Sequence, residues 1–256
     1  TRPAGSTRPA GSTRPAGSTR PTGTTRPAGP GGPAGSPPPI AQPDAAHPID
    51  ILQIGDSLGE DLGIGLDDVL GGSSLVKLQA VAKGDTGLVD TAYYDWPRVL
   101  AVDLAAYHPA VVVVFLGGND CQDFYQGSTL EVPGAASFDA VYRARVGALM
   151  SQATAAGAHV LWVGMPIMQD PTFSACMAEL DDDYAAEAAI HPGVTYLSSW
   201  KLFAGPNGQY AEYLDVSGNL AEVRDTDGIH IDGPAGTDLI ADDVVSAIEA
   251  DYHVKI

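Results

Sequence analysis

The chain has 256 residues, 45% of them hydrophobic, and sets 13 Lys and Arg against 32 Asp and Glu, a formal net charge of −19 at pH 7. That length allows one domain of ordinary size with something left over, and the negative balance disfavours polyanionic partners, nucleic acids and anionic lipid surfaces above all. No run of about 18–20 apolar residues exists, so nothing in the sequence reads as a bilayer-spanning helix.

Composition then divides the chain. Residues 1–30 are a hexapeptide array, Thr-Arg-Pro-Ala-Gly-Ser three times, then Thr-Arg-Pro-Thr-Gly-Thr and Thr-Arg-Pro-Ala-Gly-Pro. A six-residue period would suit a β-helix only if apolar side chains pointed inward, and the array has none. Pro, Gly, Ser and Thr bury too little to offset the entropy of ordering, so a disordered tail with polyproline stretches is expected over 1–47. Arg2, Arg8, Arg14, Arg20 and Arg26 all lie in the array; beyond it 8 Lys and Arg face 32 Asp and Glu, a balance of −24. Such a stalk suits a domain held off a membrane or threaded into a cell wall, and equally a plain spacer. The chain starts at Thr1 without a basic, apolar leader, which leads us to expect a processed or truncated chain, secreted or located in the cell envelope.

From Pro48 onward strand and helix patterns alternate. Ile49, Ile51 and Leu52 predict a strand over 49–54 that Gly55 ends. Leu58, Leu62, Leu66, Val69 and Leu70 then recur at helical spacing and predict a helix over 58–70. A strand at 75–81 and a helix at 97–107 follow. The uninterrupted apolar run 110–116 reads as a strand covered on both faces. A helix at 138–156, a strand at 159–164, a helix at 172–190 and a strand at 194–198 come next. The last helix, 235–251, places Ile240, Val244 and Ile248 four apart. Five strands alternating with helices predict the α/β class, a three-layer α/β/α sandwich with a mainly parallel five-stranded sheet over 48–256.

In such sheets ligands gather at the carboxyl ends of the strands. The exits carry Gly55-Asp56-Ser57-Leu58, Gly84-Asp85-Thr86-Gly87 and Gly117-Gly118-Asn119-Asp120, and Asp225-Thr226-Asp227-Gly228-Ile229-His230-Ile231-Asp232 precedes the last helix. Alone, Gly-Asp-Ser is an ordinary capped turn. A serine hydroxyl is a poor nucleophile at neutral pH and needs a base, which in turn needs an orienting group. His230 is the candidate base, and Asp227, three residues earlier, can reach back to its ring. His47, His108, His159, His191 and His253 lack a matching carboxylate-and-serine setting and are expected on the surface or in loops.

Residues 225–228 look like part of a calcium loop, but no glutamate follows at the required spacing. No Cys and His cluster suggests zinc, and no dinucleotide or P-loop motif occurs, so neither metal nor cofactor is expected. Cys121 and Cys176 fit a single disulfide in an exported protein or two buried thiols, with a slight preference for the disulfide.

As a set, in order and covering roughly 48–251, the four blocks resemble the SGNH (GDSL) hydrolase superfamily. Its blocks are Gly-Asp-Ser-Leu, a glycine block, Gly-x-Asn-Asp and Asp-x-x-His. Tyr94-Asp95-Trp96-Pro97 and Gln122 further resemble an envelope-associated bacterial branch of it. The resemblance implies a flavodoxin-like fold with Ser57 as nucleophile, His230 as base and Asp227 orienting it. It also implies an oxyanion hole made by the backbone N–H groups of Ser57 and Gly84 and the side-chain amide of Asn119, each donor worth ~3 kcal/mol. Asp56 and Asp120 are expected to support their loops rather than touch substrate.

The expected protein is a monomeric, metal- and cofactor-free serine esterase acting on a small ester or an O-acylated envelope carbohydrate, with no nucleic-acid partner. The alternatives are an O-acyltransferase using the same acyl-enzyme and a non-catalytic envelope binding module. Intact Ser57, Asp227, His230 and Asn119 argue against the module.

Overall fold

Apolar alternation stops at Gly55, and the first strand, β1 (Ile49–Gly55), stops with it. The computed structural model describes residues 42–256, so the expected disorder over 1–41 lies outside the described residues. The stretch 42–47, expected in the same tail, is instead ordered by local and domain hydrogen bonds. Residues 42–47 form a turn in which Asp44 and His47 exchange backbone hydrogen bonds, and Gln42 Nε2 donates to Tyr252 O at 2.8 Å. In chain order β1 is followed by α1 (Ser57–Leu70), β2 (Val76–Ala82), α2 (Trp96–Tyr107), β3 (Val111–Phe115), β4 (Phe124–Gln126) and β5 (Thr129–Glu131). Then come α3 (Ala136–Ala155), β6 (His159–Val163), α4 (Pro171–Ile190), β7 (Val194–Leu197), β8 (Tyr213–Val216), β9 (Asn219–Glu222) and α5 (Gly233–Tyr252).

The five long-patterned strands form one parallel sheet in the order β2-β1-β3-β6-β7. All five residues of β3 are buried, as its unbroken run of valines requires for a strand covered on both faces. Helices α1 and α5 pack together, while α2, α3 and α4 pack in sequence as a separate group, which gives the three-layer sandwich. The α1–α5 approach depends on Gly65, where a Cβ would lie 2.1 Å from Thr237 O. The sequence pattern missed two hairpins, β4–β5 and β8–β9. Their strands have only three or four residues and much of their surface is exposed, so neither carries an apolar alternation to read.

From β1 the chain moves to β2 on one side and then crosses to β3 on the other. This reversal opens a crevice beyond the carboxyl ends of β1 and β3, the place where such sheets bind ligands. Gly55, Ser57 and the Gly117–Asp120 loop all border it.

Candidate active site

Ser57 is the first residue of α1, where backbone N–H groups have no partner within the helix and the dipole favours negative charge. Two contacts fix its approach. Gly55 passes so close to β3 that a Cβ there would lie 2.1 Å from Phe115 O. Asp56, fully buried, caps the helix through Leu58 N–H at 3.0 Å and accepts from Gly117 N–H at 2.9 Å and Gly118 N–H at 2.7 Å. One carboxylate thus ties the β1 exit to the β3 exit. Burial pushes its pKa up to about 7; the three N–H groups pull the other way, and the Asp120 charge adds to the rise.

The sheet and α5 bring the distant carboxylate–histidine pair to this serine. His230 Nε2 lies 2.9 Å from Ser57 Oγ, and His230 Nδ1 lies 2.6 Å from Asp227 Oδ2. The other Asp227 oxygen accepts from Ile229 N–H at 2.8 Å and His230 N–H at 3.0 Å, so the carboxylate is fixed by its own turn. Burial alone would lower the His230 pKa, but the hydrogen bond and charge of Asp227, with the charges of Asp61 and Asp225, outweigh it and leave it raised above 6.5. Burial opposes ionisation of Asp227, and the His230 ring and the two N–H groups reverse that to hold its pKa below 3.8.

The sequence reading did not single out two residues that secure this loop. Asp61 on α1 accepts from Ile231 N–H at 3.0 Å, and burial raises its carboxyl to about 6 against the pull of that N–H and of His230. Arg224 is wholly buried and donates to Ile167 O at 2.6 Å, Ile229 O at 2.6 Å and His230 O at 3.2 Å, between the rings of Phe203 and Tyr210. Burial lowers its pKa to about 10, with nearby Tyr210, Asp227 and Asp61 opposing. A lone arginine in an acidic chain gives no sequence signal for this. Asp61 does give one, since it lies on the same helix four residues past Ser57.

Asn119 and Asp120 follow β3. One amide hydrogen of Asn119 goes to Thr86 O at 2.9 Å, and Gln122 Nε2 braces the Asn119 carbonyl at 2.6 Å. Asp120, fully buried, accepts from Leu88 N–H at 2.9 Å, Val89 N–H at 3.0 Å and the Tyr142 hydroxyl at 2.8 Å; burial raises its pKa. It holds the loop after β2 against the β3 exit. Trp96, from the Tyr-Asp-Trp-Pro stretch, donates its indole N–H to Thr86 Oγ1 at 3.0 Å, and Asp95 caps α2 through Arg98 N–H at 3.2 Å.

Two contacts were not expected from the sequence. The Gly84 N–H, expected as an oxyanion donor, is engaged in this structure: it donates at 2.9 Å to Oε1 of Glu60, one turn past Ser57 on α1. His159, on β6, lies between a carboxylate and a hydroxyl. Its Nδ1 lies 2.6 Å from Asp251 Oδ2 and its Nε2 3.1 Å from Thr195 Oγ1, at the amino ends of β6 and β7, away from the crevice. The hydroxyl there belongs to threonine. Cys121 and Cys176 are joined as a disulfide that ties the loop after β3 to α4. Among the described residues no group of three or more His, Cys, Asp or Glu could hold a metal ion, and no helix is long and apolar enough to cross a membrane.

Parallel strands in this order, with Ser57 after β1, Asn119 after β3 and His230 ahead of α5, make the fold that of the SGNH hydrolases. The structure is similar to that of TesA, with a TM-score of 0.55 and 20% identity over 79% of this chain and 99% of that chain. It is also similar to a GDSL-like lipase from Bacteroides thetaiotaomicron, with a TM-score of 0.56 and 14% identity over 82% of this chain and 92% of that one. For the psychrotrophic esterase EstA from Pseudoalteromonas sp. the TM-score is 0.52 and the identity 16%, over 79% and 97%. None of the curated proteins matches the sequence significantly. Residues 50–247 match the family described as a protein of unknown function (DUF459), and the chain belongs to that family.

Proposed function

We propose that the protein is a serine ester hydrolase that cleaves an O-acyl ester through an acyl-enzyme on Ser57. The observation that carries the proposal is the unbroken relay from Ser57 Oγ to His230 Nε2 and from His230 Nδ1 to Asp227, at 2.9 and 2.6 Å. With the ring proton on Nδ1, Nε2 takes the hydroxyl proton as Oγ attacks the carbonyl carbon. The oxyanion that forms faces the Ser57 N–H at the α1 terminus and the second amide hydrogen of Asn119. Collapse expels the alcohol, which takes the proton from His230. Water then repeats the sequence and releases the acid.

Two features bear on the substrate. A groove of about 580 Å³ is lined by Met168, Gln169, Pro171, Trp200 and Tyr210, with no charged side chain. It adjoins the histidine loop, where Gln169 N–H donates to Gly228 O at 3.0 Å. An aromatic and amide lining suits an uncharged acyl or sugar moiety. The Pro-rich repeat sequence and the acidic composition suit an O-acylated carbohydrate outside the cell or in its envelope.

Turnover of p-nitrophenyl acetate by the wild type and by Ser57→Ala tests the reading. The variant is expected to lose about 10⁴-fold or more in kcat. Comparable rates in the two proteins overturn it.

A further inference from the structure

Glu60 lies in the first turn of α1, three residues past Ser57, so the two side chains share a helix face. Its Oε1 takes the Gly84 N–H at 2.9 Å. The three atoms nearest to a Cβ built on Gly84 all belong to that carboxylate, Oε2 at 3.5 Å, Oε1 at 3.7 Å and Cδ at 3.9 Å. Glu60 therefore covers the open face of this glycine.

The Gly84 turn belongs to the same mouth as the nucleophile. Lys83 N–H bonds Gly55 O at 2.9 Å, which sets the turn beside the exit of β1. The Asn119 amide bonds Thr86 O in that turn at 2.9 Å. Among the described residues Glu60 forms no ion pair, so nothing draws its charge elsewhere.

A carboxylate oxygen, like the oxyanion of a tetrahedral intermediate, is an anionic hydrogen-bond acceptor. We propose that Glu60 is the protein's own occupant of the oxyanion hole, a reactivity-determining residue that holds the Gly84 donor until an ester displaces it. The proposal rests on the serine-esterase reading above. In the resting protein two donors are open and the third is engaged. A substrate recovers the third only by moving Glu60 aside, and a product carboxylate must do the same. Both penalties come from one contact, so both should change by one factor. For an exposed, charge-assisted hydrogen bond that factor is about fivefold.

The test compares the wild type, Glu60→Ala, Glu60→Gln and Ser57→Ala with p-nitrophenyl acetate as substrate and acetate as inhibitor. Glu60→Ala is expected to raise kcat/KM about fivefold and to lower the acetate inhibition constant by about the same factor. Glu60→Gln, neutral but still able to accept the N–H, should fall between it and the wild type. If Glu60→Ala is no faster, or slower with weaker acetate inhibition, Glu60 only supports the turn and the proposal is overturned. Should Glu60→Ala melt out, Glu60→Gln decides alone: a rise supports the proposal and no rise sinks it. Activity in Ser57→Ala would remove the underlying reading instead, so the two failures are distinguishable.

Discussion

Replacing Asp227 with Asn keeps size and shape while removing one charge, and the geometry says which way the amide must face. Asp227 Oδ1 accepts two backbone N–H groups, from Ile229 at 2.8 Å and His230 at 3.0 Å. The amide oxygen will stay there, because reversing it sets an NH₂ against two donors and loses about 1 kcal/mol for each bond. The NH₂ then meets His230 Nδ1, where the carboxylate now sits at 2.6 Å. A ring nitrogen facing a donor must be unprotonated, so the proton moves to Nε2 and points at Ser57 Oγ. The base is lost although no atom has moved far. The expected fall in kcat is about 10³- to 10⁴-fold, or roughly 4–5.5 kcal/mol of barrier.

The pH profile supplies a second readout. His230 must be neutral to accept a proton, so wild-type kcat/KM should rise with pH through a value above 6.5. Burial lowers that pKa, and the bond and charge of Asp227 are the first of the groups that raise it. Without that charge the acid limb should move to lower pH. Initial rates on p-nitrophenyl acetate from pH 5 to 9 measure both effects. A fall of less than tenfold, or an acid limb that stays in place, would refute the orientation argument.

Arg224→Met should lower stability, since Ile167, Ile229 and His230 each lose the donor on their carbonyl. Relief from burying a cation offsets part of that loss, leaving a net of about 2 kcal/mol and a drop in Tm of about 4–8 °C; an unchanged melting temperature would show that these carbonyls have other partners. Stability should also depend on pH. Burial raises Asp56, Asp181 and Asp183 from 3.8 to about 7 and Asp61 to about 6. The folded state therefore binds more protons than the unfolded one across this range. Their contribution is complete below about pH 4 and is lost as pH rises through 6–7. Thermal melts should show a higher midpoint at pH 5 than at pH 8, and a midpoint that rises with pH instead would contradict the assignment.

The large elements were legible because their periods are long. Leu58, Leu62 and Leu66 mark one face of α1, and Val111 to Val114 can only be an enclosed strand, so the five-stranded parallel sheet followed. Ser57, His230 and Asp227 could be paired because nucleophilic chemistry requires a base and a group to orient it, and the structure places the three within hydrogen-bonding distance. Side-chain to backbone contacts between remote segments were not legible. Arg224 reaches carbonyls 57 residues away, at Ile167, and neither charge nor spacing foretells it. Glu60 at Gly84 was closer to view, since it shares a helix face with Ser57, but its reach depends on where β2 ends. The Asp251–His159–Thr195 contact escaped because the helix supplying Asp251 ends beside strands that begin far away in sequence.

The aspartates that accompany the serine and the asparagine have a structural task set by the chemistry next to them. Asp56 follows β1 but bonds the exit of β3, and Asp120 follows β3 but bonds the loop beyond β2. Each strand exit is thereby held by the carboxylate of a neighbour, and the Ser57 N–H and Asn119 amide stand on a frame fixed at both sides. An oxyanion hole needs donors held within about 0.5 Å, which surface loops without such cross-links do not provide. The frame has an energetic consequence. Burial of Asp56 and Asp120 raises both pKa values, and ionising Asp56 as pH rises through about 7 lowers stability. Activity should therefore climb with pH while stability declines, because His230 must lose a proton to act as a base whereas the fold is more stable when Asp56 keeps one.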